Sequence, residues 1–304
     1  MVLLGLVASA AATAALAAVM LPRLELAGLR RPNYRGREIA TGVGVLLLAG
    51  LLAGTAVLAL AETGGDLARM TGAPGSGGSG ALTGQPAAAG SGGLHGPPRA
   101  PAGGSPVPPV QLLTAVAVAA LVGLMDDLLG DPVRGWRGHL GQAARGHFTG
   151  GQMKVLLLGM ASLVLVPAAG AAGRLLAAAV MAGTANALNL LDRRPGRALK
   201  AFLLGWLGLA ATVPAAALEL LPVAGAALVL LPLDLGERAM LGDAGSNALG
   251  AALGWALAAH LAPVAQGTSL AVLVALHLLA EYRSLTELIE AVPPLRWLDS
   301  LGRG

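Results

Sequence analysis

The chain is short of charge, of aromatic side chains and of cysteine. Only 12% of its 304 residues are charged and 3% are aromatic, whereas a soluble domain carries roughly 25% charged residues. The absence of cysteine excludes a disulfide framework and a thiolate metal site. Apolar sequence is abundant instead, since 55% of the residues are hydrophobic and the mean hydropathy is +0.72. This composition indicates an all-α, polytopic transmembrane protein.

Long apolar segments recur along the whole chain, and about 20 apolar residues suffice for a helix to cross a bilayer. The candidate spans are residues 2–22, 39–61, 110–129, 154–170, 174–191, 200–217, 220–234, 244–262 and 268–281. We therefore expect a transmembrane helical bundle of about nine spans in a single membrane domain, 1–304. The fourth and fifth segments are separated by little more than "GAAGR" and predict a helical hairpin.

The basic residues indicate how such a bundle is oriented. If the spans alternate, nearly all of the 20 lysines and arginines fall on one side, and only Arg69, Arg99 and Arg174 fall on the other. The positive-inside rule assigns the basic side to the cytoplasm, which leaves the N-terminus outside. The basic residues lie between apolar segments and not on one common face, so no nucleic-acid partner is expected.

Two segments differ from the apolar remainder. Residues 71–109 are rich in glycine, proline and alanine with one charge, so they predict a disordered external loop. Residues 282–304 are too charged for a tenth span and contain the Pro293-Pro294 break, so they predict a cytoplasmic amphipathic tail. Within this tail, Ser284 and Glu287 have the spacing of a capping box at the start of a helix.

Four aspartates lie at the predicted cytoplasmic ends of apolar segments: Asp126, Asp127, Asp192 and Asp243. Ionisable groups at membrane depth indicate function, and these four can converge on one site just inside the inner membrane surface. Simpler interpretations stay open for each residue taken alone. Asp243 precedes a helix and could be only an N-cap, and the adjacent Asp126 and Asp127 could mark the start of a solvated loop.

Asn186, Asn189 and Asp192 are spaced three apart, so a helix keeps all three on one side. Interhelical hydrogen bonding is the simpler interpretation of the two amides. Carboxylates, however, are suited to Mg²⁺, which keeps several waters and often bridges protein acids to substrate phosphates. Acids, amides and neighbouring basic loops together predict phosphoryl transfer at the membrane surface, with one reactant carried by a lipid.

The motifs "GLMDD", "NALNLLD" and "MLGDAGSNALG", in this order, resemble the polyprenyl-phosphate N-acetylhexosamine-1-phosphate transferase family, which includes phospho-N-acetylmuramoyl-pentapeptide transferase. The segment "RPNYRGREIATGVGV" is similar to that family's first cytoplasmic loop and second helix. The likeness covers most of residues 1–280, without 71–109. It implies Mg²⁺-dependent transfer of an amino-sugar 1-phosphate from a UDP-sugar to polyprenyl phosphate, which gives polyprenyl-diphosphate-sugar and UMP for cell-envelope glycans such as peptidoglycan.

The resemblance also implies roles for individual residues. Asp126, Asp127 and Asp243 would be catalytic, and Asp243 and Asp127 would hold the Mg²⁺. The substrate-binding residues would be Asn186, Asn189, Asp192, Lys154, Arg193 and Arg194. The implied partners are a polyprenyl phosphate lipid, a nucleotide-sugar and the membrane, and a homodimer is compatible with the family. The implied location is the bacterial inner (plasma) membrane, with the active site facing the cytoplasm.

The sequence departs from the family pattern in the part that binds the nucleotide. Pro195 stands where a second loop acid is expected, Met240 and Leu241 stand where an aromatic residue would stack on uracil, and a His-rich last loop is missing. These departures leave open a catalytically inactive member that binds lipid phosphate. A second alternative is an intramembrane aspartyl protease, which two separated membrane aspartates and the "GD" pair suggest, although Met240 occupies the first glycine position of that protease's Gly-x-Gly-Asp motif.

Overall fold

The computed structural model describes residues 2–26, 30–70, 108–129, 138, 141–142, 144–145 and 149–303. The predicted external loop 71–109 lies outside the described residues except for its last two positions, and so does most of the basic loop that follows the third apolar segment. In the described part the chain is mostly helical, which confirms the predicted all-α class in its coarse form.

Helices follow one another along the described chain. The first six are α1 (Val2–Leu26), α2 (Leu46–Met70), α3 (Val110–Leu129), α4 (Gly150–Leu165), α5 (Gly170–Leu191) and α6 (Arg197–Thr212). The next six are α7 (Pro214–Glu219), α8 (Leu221–Leu235), α9 (Gly242–His260), α10 (Pro263–Tyr282), α11 (Leu285–Ala291) and α12 (Pro293–Ser300). Among the described residues, five helices are long and apolar enough to cross a membrane, namely α1, α2, α3, α5 and α10.

Each predicted apolar segment contains a helix, but several boundaries differ from the prediction, and two of the differences have a clear local cause. The sixth segment, 200–217, is divided between α6 and α7 at Pro214, because proline has no amide hydrogen and clashes with the preceding helical turn. The second segment was expected to be helical from residue 39, whereas α2 starts at Leu46. The predicted hairpin of the fourth and fifth segments is present as α4 and α5, which pack against each other.

A short β-hairpin explains the late start of α2. Strand β1 (Arg30–Pro32) pairs antiparallel with strand β2 (Glu38–Ala40), so the backbone is extended where a helix was expected. The Asn33 side chain accepts two backbone N–H groups of the turn at 2.9 Å each, and Gly36 supplies a φ of +74°. A 3₁₀ turn at Val43–Val45 then leads into α2.

Helix α9 forms the centre of the bundle, with α3 on one side and α5 on another. Nearly all of its residues are buried, and many are glycine, alanine or serine. These small side chains permit main-chain contact with neighbouring elements. A methyl group added to Gly123 of α3 would lie 2.1 Å from the carbonyl oxygen of Asp243, and one added to Gly44 would lie 2.1 Å from the backbone of Gly245.

The tail contains two short helices, α11 and α12, after α10 ends at Tyr282. Ser284 occupies the N-cap position of α11, but its side chain accepts no cap hydrogen bond, so the predicted capping box with Glu287 is wrong. The backbone holds the first turn instead, since the Leu288 N–H donates to the Ser284 carbonyl at 3.1 Å. A short helix can therefore start here without a side-chain cap.

We expect Gly123→Ala to lower the free energy of unfolding by about 1–3 kcal/mol, the usual cost of overpacking. The reason is the contact of 2.1 Å between the new methyl group and the Asp243 carbonyl. Thermal unfolding in detergent, followed by circular dichroism, measures the effect. Gly159→Ala in α4 is the matched control, because nothing lies within 4 Å of a methyl group added there. Equal melting temperatures for the two variants would contradict the close approach of α3 and α9.

Candidate functional site

Two carboxylates meet at one ammonium group where α3, α4 and α9 come together. Lys154 Nζ donates to Asp126 Oδ2 at 3.2 Å and to Asp243 Oδ2 at 2.9 Å. Lys154 is buried, whereas 20% of the Asp126 side chain and 32% of the Asp243 side chain remain exposed. The lysine therefore neutralises part of the acidic charge, while both carboxylates keep access to a ligand.

The amide of Asn189 connects α5 to the same centre. Its Nδ2 donates to Asp243 Oδ1 at 2.7 Å and to Ser246 Oγ at 3.0 Å. Each oxygen of Asp243 thus has a partner from a different helix, Asn189 on α5 for Oδ1 and Lys154 on α4 for Oδ2. The interhelical hydrogen bonding that the asparagine spacing allowed is present at Asn189, and it orients the Asp243 carboxylate.

Asp127 holds the first turn of α9. Its Oδ1 accepts the N–H of Asp243 at 3.1 Å, and its Oδ2 accepts the N–H of Ala244 at 3.0 Å. These N–H groups have no acceptor within the helix and lie at the positive end of its dipole, so a carboxylate stabilises them. The capping role that was one interpretation of Asp243 is thus performed by Asp127, from the end of another helix.

Gly242 allows the Asp127 carboxylate to approach the first turn of α9 closely. Gly242 has a φ of +73°, and a Cβ at this position would lie 2.8 Å from Asp127 Oδ2 and 3.0 Å from Thr41 Oγ1. The Arg31 guanidinium donates to the backbone carbonyl of Asp127 from the β-hairpin. Asp127 is therefore held on two sides, which leaves the neighbouring Asp126 to face Lys154.

Asp192 ends α5 beside the first turn of α9. Burial raises the pKa of Asp192 well above the usual range, and the charges of Asp234 and Asp243 raise it further, whereas a hydrogen bond from the Gly242 N–H lowers it. Asp192 therefore holds its proton more tightly than an exposed aspartate does. It follows Asn189 by three residues at the end of α5, and Asn189 contacts Asp243, so Asp192 lies at the edge of the same centre.

The other predicted residues lie around this centre. Asn186 is half-buried one turn before Asn189 on α5, and Arg193 is exposed. The Arg194 guanidinium lies 4.6 Å from the ring centroid of Tyr34 and 3.7 Å from Glu290 Oε1. Direct contacts join five of the predicted residues: Asp126, Asp127, Lys154, Asn189 and Asp243.

Sequence reasoning missed Asp234, which fixes two loops next to the site. Its Oδ2 accepts the Gly196 N–H at 2.6 Å, and its Oδ1 accepts the Leu241 N–H at 3.2 Å. The loop in which Pro195 replaces an expected acid is thus built around a buried carboxylate from α8. Asp234 lies at the end of an apolar segment, so the rule that singled out the other four aspartates could have found it too.

Asn247 is fully buried, and neither its amide nitrogen nor its amide oxygen has a hydrogen-bond partner among the described residues. It lies one helical turn after Asp243 in α9, on nearly the same side. A buried polar group without a partner costs roughly 1–3 kcal/mol. Among the described residues nothing offsets this cost.

The donors of this centre fit a divalent cation held in part by solvent and substrate. In the part of the chain that the structure describes, no group of three or more acidic, histidine or cysteine side chains is arranged to hold a metal ion. Asp126 and Asp243, however, already direct oxygens at one cationic atom, and Mg²⁺ commonly uses one or two carboxylates plus waters and phosphates. Both Asp127 oxygens accept N–H groups of α9, so its role as a metal ligand stays a prediction.

We expect Asn247→Leu to raise the melting temperature, because it replaces an unpartnered amide by an apolar side chain of similar shape. The expected gain is about 1 kcal/mol or more in the free energy of unfolding. Asn189→Leu is the comparison variant, and it should lower the melting temperature because it removes two hydrogen bonds. A loss of stability in Asn247→Leu would contradict the expectation that the amide has no partner.

Comparison with known proteins adds no assignment. No protein-family model matches the chain, and a search of curated proteins finds no match. The likeness to the transferase family therefore rests on the three motifs and their order. The contacts among their residues are what a functional interpretation has to explain.

Proposed function

We propose that the chain is a Mg²⁺-dependent transferase that moves an amino-sugar 1-phosphate from a UDP-sugar to a polyprenyl phosphate. A phosphate oxygen of the lipid attacks the β-phosphorus of the UDP-sugar, and the bond from that phosphorus to the bridging oxygen breaks. UMP leaves, and the polyprenyl-diphosphate-sugar stays in the membrane for cell-envelope glycan synthesis. The observation that carries this proposal is the meeting of Asp126, Lys154, Asn189 and Asp243 from four separate helices.

The proposal includes an orientation in a bacterial inner membrane. About nine spans with the N-terminus outside put the aspartate centre and the C-terminal tail at the cytoplasmic face. Two observations support this arrangement. Each predicted apolar segment contains a helix, and the basic residues Arg31, Lys154 and Arg197 contact acidic or carbonyl groups at the end of the bundle where the motifs meet.

Asp126 and Asp243 would hold the Mg²⁺, with waters and phosphate oxygens as its other ligands. When bound, the ion neutralises charge on the diphosphate and makes its phosphorus easier to attack. Hydrogen bonds within the protein orient the Asp243 carboxylate without any ligand. Asn189 orients Asp243 through its Oδ1, and Asp127 fixes the backbone of the same residue. Polar groups fixed in advance are what electrostatic catalysis requires.

Positive side chains would bind the phosphates of the two substrates. Lys154 contacts both carboxylates, and its three N–H donors suit a phosphate oxygen. Arg193 is exposed at the end of α5 and would face the diphosphate of the nucleotide-sugar. Asn186 and Asp192 would contact the sugar or the nucleotide from the same helix end.

A non-catalytic lipid-phosphate binder is the second candidate function. It is favoured by the Lys154 ammonium, which already lies between the two carboxylates, and by Pro195 at the position of an expected acid. Such a protein would bind polyprenyl phosphate at the same centre without releasing UMP. Turnover therefore distinguishes the two functions.

The activity test uses purified protein in lipid vesicles with polyprenyl phosphate and a panel of UDP-amino sugars. We expect UMP release that requires Mg²⁺ and falls about 100-fold or more in Asp243→Asn, the scale observed when one electrostatic group at a transition state is removed. Glu287→Gln changes an exposed acid of the tail and should keep full activity. Lipid binding without UMP release would favour the second candidate, and the absence of both would reject the two functions together.

A second test asks whether Lys154 and Mg²⁺ serve the same carboxylates. In the presence of a chelator, Lys154→Met should lower the free energy of unfolding by at least about 1 kcal/mol, because Asp126 and Asp243 lose their shared partner. Added Mg²⁺ should then raise the melting temperature more in the variant than in the wild type, and sodium at equal ionic strength is the control. An identical Mg²⁺ response in both proteins would contradict metal binding by these two carboxylates.

A further inference from the structure

The C-terminal segment, residues 284–303, is fastened to the start of α6 through its polar side. Asp299 accepts hydrogen bonds from Arg197 Nε and Nη2 at 2.9 Å each, and both side chains are buried. Lys200 Nζ donates to three backbone carbonyls at the end of α12, at 2.8 or 2.9 Å. The charged side of α12 thus binds α6.

This attachment persists over a wide pH range. Burial would raise the pKa of Asp299, but hydrogen bonds from Arg197 and Arg303 outweigh it and lower the pKa to about 2. Asp299 therefore stays ionised at neutral and mildly acidic pH. A guanidinium that binds a carboxylate through two parallel hydrogen bonds also fixes the direction of the helix that carries the carboxylate.

The other side of α12 is apolar. Pro294, Trp297 and Leu298 of α12, and Leu301 directly after its last residue, follow the i, i+3, i+4, i+7 spacing that sets side chains on one side of a helix, and we call them the apolar arc. Trp297 is 64% exposed and Leu301 is 40% exposed. An exposed apolar surface next to a firmly attached polar one indicates a partner that the described residues do not supply.

The position of α12 indicates which partner fits. Helix α10, which is apolar enough to cross a membrane, ends at the exposed Tyr282 just before the segment begins. Tyrosine and tryptophan both favour the boundary between lipid and water. A stable protein partner would need roughly 800 Å² on each side, which the arc of an eight-residue helix does not offer.

We propose that the apolar arc of α12 inserts into the headgroup region of the membrane, so that the partner of this surface is the lipid bilayer. Arg296 is exposed next to Trp297 and suits the phosphates of anionic lipids. This inference does not depend on the proposed transferase activity. Because Arg197 follows the 192–196 loop directly, the lipid contact also steadies that loop beside the aspartate centre.

The test takes advantage of the absence of cysteine, since one introduced cysteine carries the only spin label. Leu301→Cys labels the apolar arc, and Glu287→Cys labels an exposed position of the same segment outside it. The full chain is placed in vesicles of phosphatidylcholine and phosphatidylglycerol. The collision rate of the spin label with oxygen, which concentrates in lipid, is compared with its collision rate with a water-soluble nickel chelate. We expect the ratio of oxygen to nickel collisions to be severalfold higher at position 301 than at 287.

Equal ratios at the two positions would overturn the proposal. Adding Asp299→Asn to Leu301→Cys should raise access to the nickel chelate, because the segment loses its attachment to α6, and unchanged access would contradict that attachment. If Leu301→Cys does not fold, Trp297 fluorescence replaces it, in a protein whose other three tryptophans are phenylalanine. Quenching by lipids brominated near the headgroup supports insertion, whereas quenching by aqueous iodide alone overturns it.

Discussion

The capping of α9 by Asp127 sets the geometry on which the rest of the candidate site depends. Its carboxylate accepts the N–H groups of Asp243 and Ala244, so the start of α9 is attached to the end of α3. The Asp243 side chain is thereby directed to α4 and α5, where Lys154 and Asn189 contact it. Without the cap, the first turn of α9 would be free to fray, and these two partners would have no fixed carboxylate to bind.

The cost of placing charge among apolar helices explains why these groups are paired. An ionisable side chain in such a place is expensive unless another group compensates it. Here one lysine serves two carboxylates, which reduces the repulsion between Asp126 and Asp243 and still leaves an excess of negative charge. The pairing therefore stabilises this arrangement of side chains, and in the proposed function the remaining charge would attract Mg²⁺.

Much of this centre could be predicted because acids are rare in apolar sequence, so Asp126, Asp127 and Asp243 were conspicuous. The sequence could not predict that Asp127 caps α9 while Asp126 contacts Lys154. Adjacent residues point about 100° apart on a helix, and the rotation of α3 decides which of them reaches α9. The pair of Arg197 and Asp299 joins positions 102 apart in the chain, and neither residue lies in a pattern that indicates the other. The β-hairpin was missed because strands of three residues are too short for an alternating pattern.

The contact of Gly123 with the backbone of Asp243 has a mechanical consequence. The main chains of α3 and α9 approach closely, and two hydrogen bonds that Asp127 accepts join them again, so the two helices are held together directly. Helix α4 contacts the carboxylates through the long side chain of Lys154 and not through its main chain. A ligand that bound between the carboxylates would therefore have to displace the side chain of Lys154, while the main chains of α3 and α9 would stay in contact.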